Sequence, residues 1–268
     1  MTESYDMRER DEGLEKARKM AEEEEGIARR PKGPTKWVIP FIGVIWSLFQ
    51  LSIASWWILD TVFIRAIHLG FAMLIVYLNY PLFKETRFGL KFLSIKDRIP
   101  PWDFVIAVIA CFSAVYIAVD YYGVTHRYGD PISRDIVVGL ILLVLLLEAA
   151  RRVIGPALSV IALFFCIYAF FGPYMPDVIA FKGVSLSRFM GQITMSTEGI
   201  YGIPLDVSAT IVFLFVLFGA MLEKAGAGRY FIQLALSILG SFKGGPAKAA
   251  VMGSGLTGLV SGSSIANI

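Results

Sequence analysis

Apolar residues in this chain gather into long runs separated by short charged clusters, and the runs have the length of membrane spans. From Trp37 to Leu59 there are 23 uncharged residues, where a hydrocarbon core needs about 20. Asp60 allows a tight turn into a second run, Val62 to Phe83, which carries Arg65 and His68 near its start. A third extends from Phe104 to Tyr122, with Trp102, Tyr121 and Tyr122 as interfacial anchors. A fourth starts near Ile136 and continues through LLVLLLEAARRV; Gly155 and Pro156 then punctuate the chain and open a fifth, reaching Pro176. A sixth lies within Val207 to Leu222. The pattern predicts an all-α integral membrane protein with about six transmembrane helices.

The next apolar stretch, Tyr230 to Phe242, has 13 residues and is too short to cross. Arg229, Gln233, Ser237 and Ser241 recur every four positions, which draws one polar stripe along an apolar helix and predicts an arm lying in the interface plane. After Gly244 to Pro246 a new helix can start with proline in its first turn. Ala250, Ser254, Gly258 and Gly262 repeat every four residues, a small face that permits close helix approach in lipid. At Ser261 the sequence becomes SGSS, which supplies flexible backbone and three hydroxyls. From Lys248 to Ser261 a helix rises roughly 20 Å at about 1.5 Å per residue, past the midplane of a core about 30 Å thick. Irregular backbone at that depth must be covered by protein or line a cavity. The segment is therefore either the first arm and tip of a re-entrant hairpin, of the kind where transporters place ions and anionic substrates, or a small-residue packing face in an ordinary span.

Composition agrees with the membrane class: 56% of residues are hydrophobic and 18% charged, against about 25% charged in a soluble domain. Cys111 and Cys166 both sit inside apolar runs and read as small hydrophobes. The first 36 residues hold ten acidic and nine basic residues and no apolar run, so a charged tail is expected there and no cleavable signal peptide. Within it, Glu12 with Lys16 and Glu15 with Lys19 could support a solvated helix. Lys and Arg then orient the chain. Arg29, Arg30, Lys32 and Lys36, the loop with Lys84, Arg87, Lys91, Lys96 and Arg98, and Arg151 with Arg152 are placed in the cytoplasm, N-terminus included. The loops 123–135 and 172–206 carry fewer basic residues and face outward, while Lys224, Arg229, Lys243 and Lys248 return to the inside.

Arg65 and His68 share a helix face near the outer end of the second span and are expected to snorkel to the interface. Glu148 with Arg151 and Arg152 reads as a cytoplasmic ion pair ending a helix. Beyond these the first 150 residues show no site chemistry, which leaves a structural membrane scaffold as one reading. An intramembrane serine protease is another, because Gly262 to Ser264 form a GxS. It would need a histidine base, and the two histidines, His68 and His126, lie far upstream. No HExxH motif is present, and the chain is not expected to be an enzyme.

The stretch Phe213 to Ile268, with FGAMLEKAG, GGPAKAAV and SGSSIAN, resembles the large membrane subunit of tripartite ATP-independent periplasmic (TRAP) transporters, in particular the fused permeases that work with TAXI-type binding proteins. GIYGIPLDVSAT and LLLEAARRVIG are similar to the same group; Ser264 and Ile265 stand where its members often have Ala and Val. The resemblance implies a cytoplasmic tail at 1–36, a small-subunit-like four-helix domain at 37–153, a connector at 154–187, and the start of the large-subunit transport domain at 188–268. It implies uptake of organic acids delivered by an extracytoplasmic TAXI-type receptor, by an elevator mechanism in the inner membrane. The coupling ion would be sodium; no other cofactor and no nucleic acid partner is implied. Ser261, Gly262, Ser263, Ser264 and Asn267 would form the ion- and substrate-binding tip, with Na+ at Ser261, Ser263 and Ser264, and Ser254 and Gly258 would pack the hairpin. Because the chain stops inside that hairpin, an N-terminal fragment of the permease or a truncated reading frame, without transport activity alone, is expected.

Overall fold

Several helix starts in this protein have a local cause. The computed structural model describes residues 28, 29, 31, 33–82 and 98–261. The expected tail helix, the basic loop from Lys84 to Lys96, and the tip residues Gly262, Ser263, Ser264 and Asn267 lie outside them. A 3-10 turn, Gly33–Trp37, leads into α1 (Val38–Ser55). The Asp60 carboxylate accepts the Val62 N–H at 2.9 Å and caps α2 (Thr61–Asn79). Pro101 opens α3 (Pro101–Val119) in the first turn, where a missing N–H costs nothing. A short α4 (Tyr121–His126) precedes α5 (Ser133–Val153), where the Asp135 carboxylate accepts the Ile132 N–H. Gly155, at φ +110°, turns the chain sharply into α6 (Pro156–Phe171), again with proline first. The remaining helices are α7 (Leu186–Thr194), α8 (Ile203–Val207), α9 (Phe213–Lys224), α10 (Ala227–Leu239) and α11 (Gly245–Ser261). Between α8 and α9, Ser208–Val212 is wound as a π-helix. No strand occurs among the described residues.

Among the described residues, five stretches are long and apolar enough to cross a membrane: 35–55, 61–79, 101–119, 156–174 and 203–224. The expected fourth span is present as α5, 21 residues long. It is not among the five because Arg134, Asp135, Glu148, Arg151 and Arg152 lie within it, leaving 12 uncharged residues from Ile136 to Leu147. Those charges are held by ion pairs within the protein, described below.

The described residues fall into two compact units, one reaching Ala209 and one starting at Thr210. In the first, α2 and α3 form the centre. Ala66, Leu69, Met73 and Tyr77 of α2 are buried with Ala107, Ala110 and Ala114 of α3, and a methyl group at Gly70 would stand 2.7 Å from Val115 Cγ2. Small residues on facing surfaces let the two helices approach without an aqueous hydrophobic drive between them. α1 packs on α2 through Trp46, stacked on Phe71 at 6.1 Å, but Gln50 is its one buried residue, and α6 has none. Phe41, Leu48, Val160, Phe164 and Phe165 are all outward-facing, an apolar surface suited to lipid.

In the second unit α10 and α11 form a helical pair turned by Gly244 at φ +71°. Arg229, Gln233 and Ser237 of α10, and Ser241 just beyond its end, are all exposed, as are Tyr230, Ile232, Leu234, Leu236 and Ile238 between them. The close approach of α11 to α10 is made by Ala249, fully buried, and Gly253, where a methyl group would stand 3.2 Å from Ile232 Cγ1. This is one position ahead of the expected stripe: Ala250 is exposed, and Ser254 and Gly258 are half-buried.

Candidate intramembrane polar site

Of the residues expected at the hairpin tip, Ser261 is the last residue of α11, and the others lie outside the described residues. Among the described residues no group of three or more His, Cys, Asp or Glu could hold a metal ion. The polar chemistry that the structure does describe is in the first unit, in three layers.

One layer is built in the first half of the second span. Arg65 does not snorkel. Its Nε donates to Asp206 Oδ1 at 2.9 Å and its Nη1 to the Tyr201 carbonyl at 2.8 Å, and its side chain is 12% exposed. One turn along the same face, His68 is buried between α1 and the π-helix. Gln50 Nε2 lies 2.5 Å from its Nδ1, and Ser208 Oγ lies 3.3 Å from its Nε2; the Trp46 ring meets its edge at 4.9 Å. The snorkelling expectation fails because partners 141 residues away in sequence come within reach, and a guanidinium held by a carboxylate and a carbonyl inside the bundle needs no interface. With the Gln50 amide donating to Nδ1, the Nε2–H must donate to Ser208. The imidazole is then neutral, with both nitrogens used. This assignment also removes His68 as a base toward Ser208, since a base must accept the hydroxyl proton at Nε2.

Toward the end expected to be cytoplasmic, Asp103 in the first turn of α3 faces two guanidinium groups. Arg152 Nη1 donates to Asp103 Oδ1 at 3.0 Å, and Arg29 Nη2 pairs with Oδ2; all three side chains are 1% exposed or less. Arg29 also donates to the Tyr77 and Leu78 carbonyls at 3.2 and 3.3 Å, and its burial lowers its basicity from the usual arginine value. Glu148 accepts from Arg152 Nε at 2.9 Å and from Arg151 Nε and Nη2 at 2.7 and 2.8 Å. The expected Glu148 pair is thus one edge of a larger cluster. Arg152 further stacks its guanidinium over the Tyr77 ring at 4.6 Å.

At the opposite end Asp135 is buried and accepts from Tyr116 Oη at 2.5 Å and from Arg127 Nε and Nη2, both at 3.2 Å. Arg127 reaches Asp120 at 2.8 Å, and Arg134 pairs with Asp120 as well. Hydrogen bonds from Arg127 to Asp135, and then to Asp120, raise its pKa above the ordinary arginine value. Beside this cluster lies a cleft of about 190 Å³ lined by Tyr121, Thr125, Tyr128, Ser196 and Thr197 among others.

Sequence reasoning missed Gln50, Ser208, Arg29 and Asp103. A lone glutamine in the uncharged first span, and a carboxylate one residue after PPW at the mouth of the third, are the signals that could have found two of them. Neither could name its partner.

No curated protein and no solved structure matches the chain. Residues 141–268 match the family model described as Tripartite ATP-independent periplasmic transporter, DctM component; that stretch, from the middle of α5 to the end, is similar to the DctM component of such transporters.

Proposed function

We propose that the chain acts in the membrane permease of a TRAP-type secondary transporter, taking up organic acids handed over by an extracytoplasmic TAXI-type binding protein and driven by a sodium gradient. The observation that carries this reading is the DctM match over residues 141–268, supported by five stretches able to cross a membrane. Residues 37–153 would serve as scaffold. Their buried charges are paired, Asp103 with Arg152 and Arg29, Asp135 with Arg127, and Arg65 with Asp206, as suits a body that stays fixed while another part moves. α10, short and amphipathic, would be the arm joining scaffold to an elevator domain in the inner membrane. The SGSS turn would line the sodium site, because hydroxyl and carbonyl oxygens are hard ligands suited to a small alkali cation. Ser261, Ser263 and Ser264 would contribute those oxygens. Asn267 would fix the turn or donate to a substrate carboxylate.

The protease alternative finds no support in the one serine–histidine contact described, Ser208 with His68, since the Gln50 amide occupies the nitrogen that an orienting acceptor would need.

The test is uptake into proteoliposomes by the transporter that carries this chain, with its binding protein outside and a panel of labelled mono- and dicarboxylates. Uptake should require an inward sodium gradient. Ser263→Ala or Asn267→Ala should raise the sodium concentration for half-maximal uptake while insertion is unchanged. Unchanged ion dependence in both variants would leave the turn as a packing device.

A further inference from the structure

Helix α2 ends in a row of carbonyls, and one residue from outside the helix takes three of them. The last four carbonyls of a helix have no partner within it. Here the Tyr80 N–H returns to the Val76 carbonyl at 2.8 Å. The next three are taken by Arg29: its Nη1 donates to the Tyr77 and Leu78 carbonyls at 3.2 and 3.3 Å, and its backbone N–H donates to the Asn79 carbonyl at 2.7 Å. Its Nη2 meets the carboxylate of Asp103 in the first turn of α3, and the Arg29 side chain is 0% exposed. One edge of the planar fork thus reads helix carbonyls and another reads a carboxylate, which a compact lysine ammonium does not reproduce. The walls of this site are held without Arg29. Tyr77 Oη donates to the Leu145 carbonyl of α5 at 2.7 Å, Arg152 pairs with Asp103 and donates to the Tyr80 carbonyl at 3.2 Å, and Arg151 donates to the Leu82 carbonyl at 2.7 Å. Gly33, at φ +75°, then turns the chain from Arg29 toward α1.

We infer that the end of α2 and the start of α3 form a guanidinium-binding socket, and that Arg29 is its exchangeable ligand, a latch that straps the base of the charged N-terminal tail to the helix ends. Two features make the latch able to open. When Arg29 leaves, Asp103 keeps Arg152, so no carboxylate is stranded as an unpaired buried charge. The carbonyls that Arg29 releases stay at the negative end of the α2 dipole, beside Asp103, and so still favour a cation with planar donors. The ligand class is therefore a monosubstituted guanidinium, supplied here by the chain itself. The inference goes beyond the permease reading and does not rest on it.

Trypsin must draw an arginine side chain into its own pocket, so it can cut after Arg29 only while the latch is open. The full chain carrying Lys32→Gln is digested in mild detergent, and cleavage after Arg29 is compared with cleavage after Lys19, each relative to a synthetic peptide of residues 15–36 with the same substitution. The Arg29 bond should be slowed at least about tenfold more than the Lys19 bond, since cleavage tracks the population of the open form. Arg29→Lys keeps the charge and the trypsin site but loses the fork, and its bond should be cut at nearly the peptide rate. Equal rates at Arg29 and Lys19 in the parent chain overturn the latch, and protection of Arg29→Lys as complete as that of the parent overturns the guanidinium assignment. Chemical rescue is the second measurement. Arg29→Gly should unfold at a lower SDS fraction than the parent, and methylguanidinium, binding the vacated socket of the folded state alone, should raise that midpoint with rising concentration. Methylammonium at the same ionic strength should not. Equal action of the two cations, or no recovery with methylguanidinium in a monodisperse preparation, overturns the socket; where Arg29→Gly does not stay monodisperse, the protection of Arg29 against Arg29→Lys decides.

Discussion

Replacing Asp103 by asparagine removes the carboxylate shared by Arg29 and Arg152, three side chains that are all 1% exposed or less. Removing one partner of a buried ion pair costs about 3–5 kcal/mol, because the remaining charge stays desolvated. Two features pull the value to the lower end. Arg152 keeps Glu148 at 2.9 Å and the Tyr80 carbonyl at 3.2 Å, and Arg29 keeps the Tyr77 and Leu78 carbonyls. We therefore expect Asp103→Asn to lose about 3 kcal/mol, roughly a hundredfold in the folded-to-unfolded ratio. The measurement is reversible unfolding in mixed micelles with rising SDS, followed by tryptophan fluorescence. The triple variant Arg29→Met, Asp103→Leu, Arg152→Met serves as the contrast. It removes all three charges while Glu148 keeps Arg151, and replacement of a buried ionic cluster by apolar groups is often neutral or stabilising. A loss below about 0.5 kcal/mol for Asp103→Asn, the size of an ordinary surface change, would refute the burial of this charge. A triple variant as unstable as the single one would show that shape, not charge, decides the site.

Two more outcomes follow from the packing and the topology. Gly199→Ala should destabilise the turn ahead of Tyr201 by more than the about 1–3 kcal/mol of ordinary overpacking, since its methyl would sit 2.6 Å from the Ile193 Cα and closer still to the Ile193 carbonyl; the same micelle titration reads it. In a background lacking Cys111 and Cys166, a cysteine at Lys243 should label from the cytoplasmic side, and labelling from outside would mean that α10 crosses the membrane.

The spans were legible because length and charge exclusion are one-dimensional properties, and Asp60, Pro101 and Pro156 mark helix starts by local chemistry alone. Arg65 and His68 stood out for the same reason. Their fate was not legible, because it depends on Asp206 and Ser208, which sequence distance does not bring near. The α11 face shows a second limit. Small residues occupy both Ala249–Gly253 and Ala250–Ser254–Gly258, two adjacent stripes, and a four-residue repeat cannot say which one meets a neighbour. For the SGSS turn, the family resemblance offers a role that the described geometry does not reach.

The charged ends of α5 also bear on how the chain enters the membrane during synthesis. With 12 uncharged residues between Asp135 and Glu148, this segment partitions poorly by itself, since each charge resists insertion. The charged and hydroxyl partners its ends find outside the helix, Asp103, Tyr116, Asp120 and Arg127, precede it in the chain. Synthesis runs from the N-terminus, so by the time α5 emerges the groups that neutralise both its ends are already in place, and its entry becomes an act of assembly with earlier helices rather than of solitary partition.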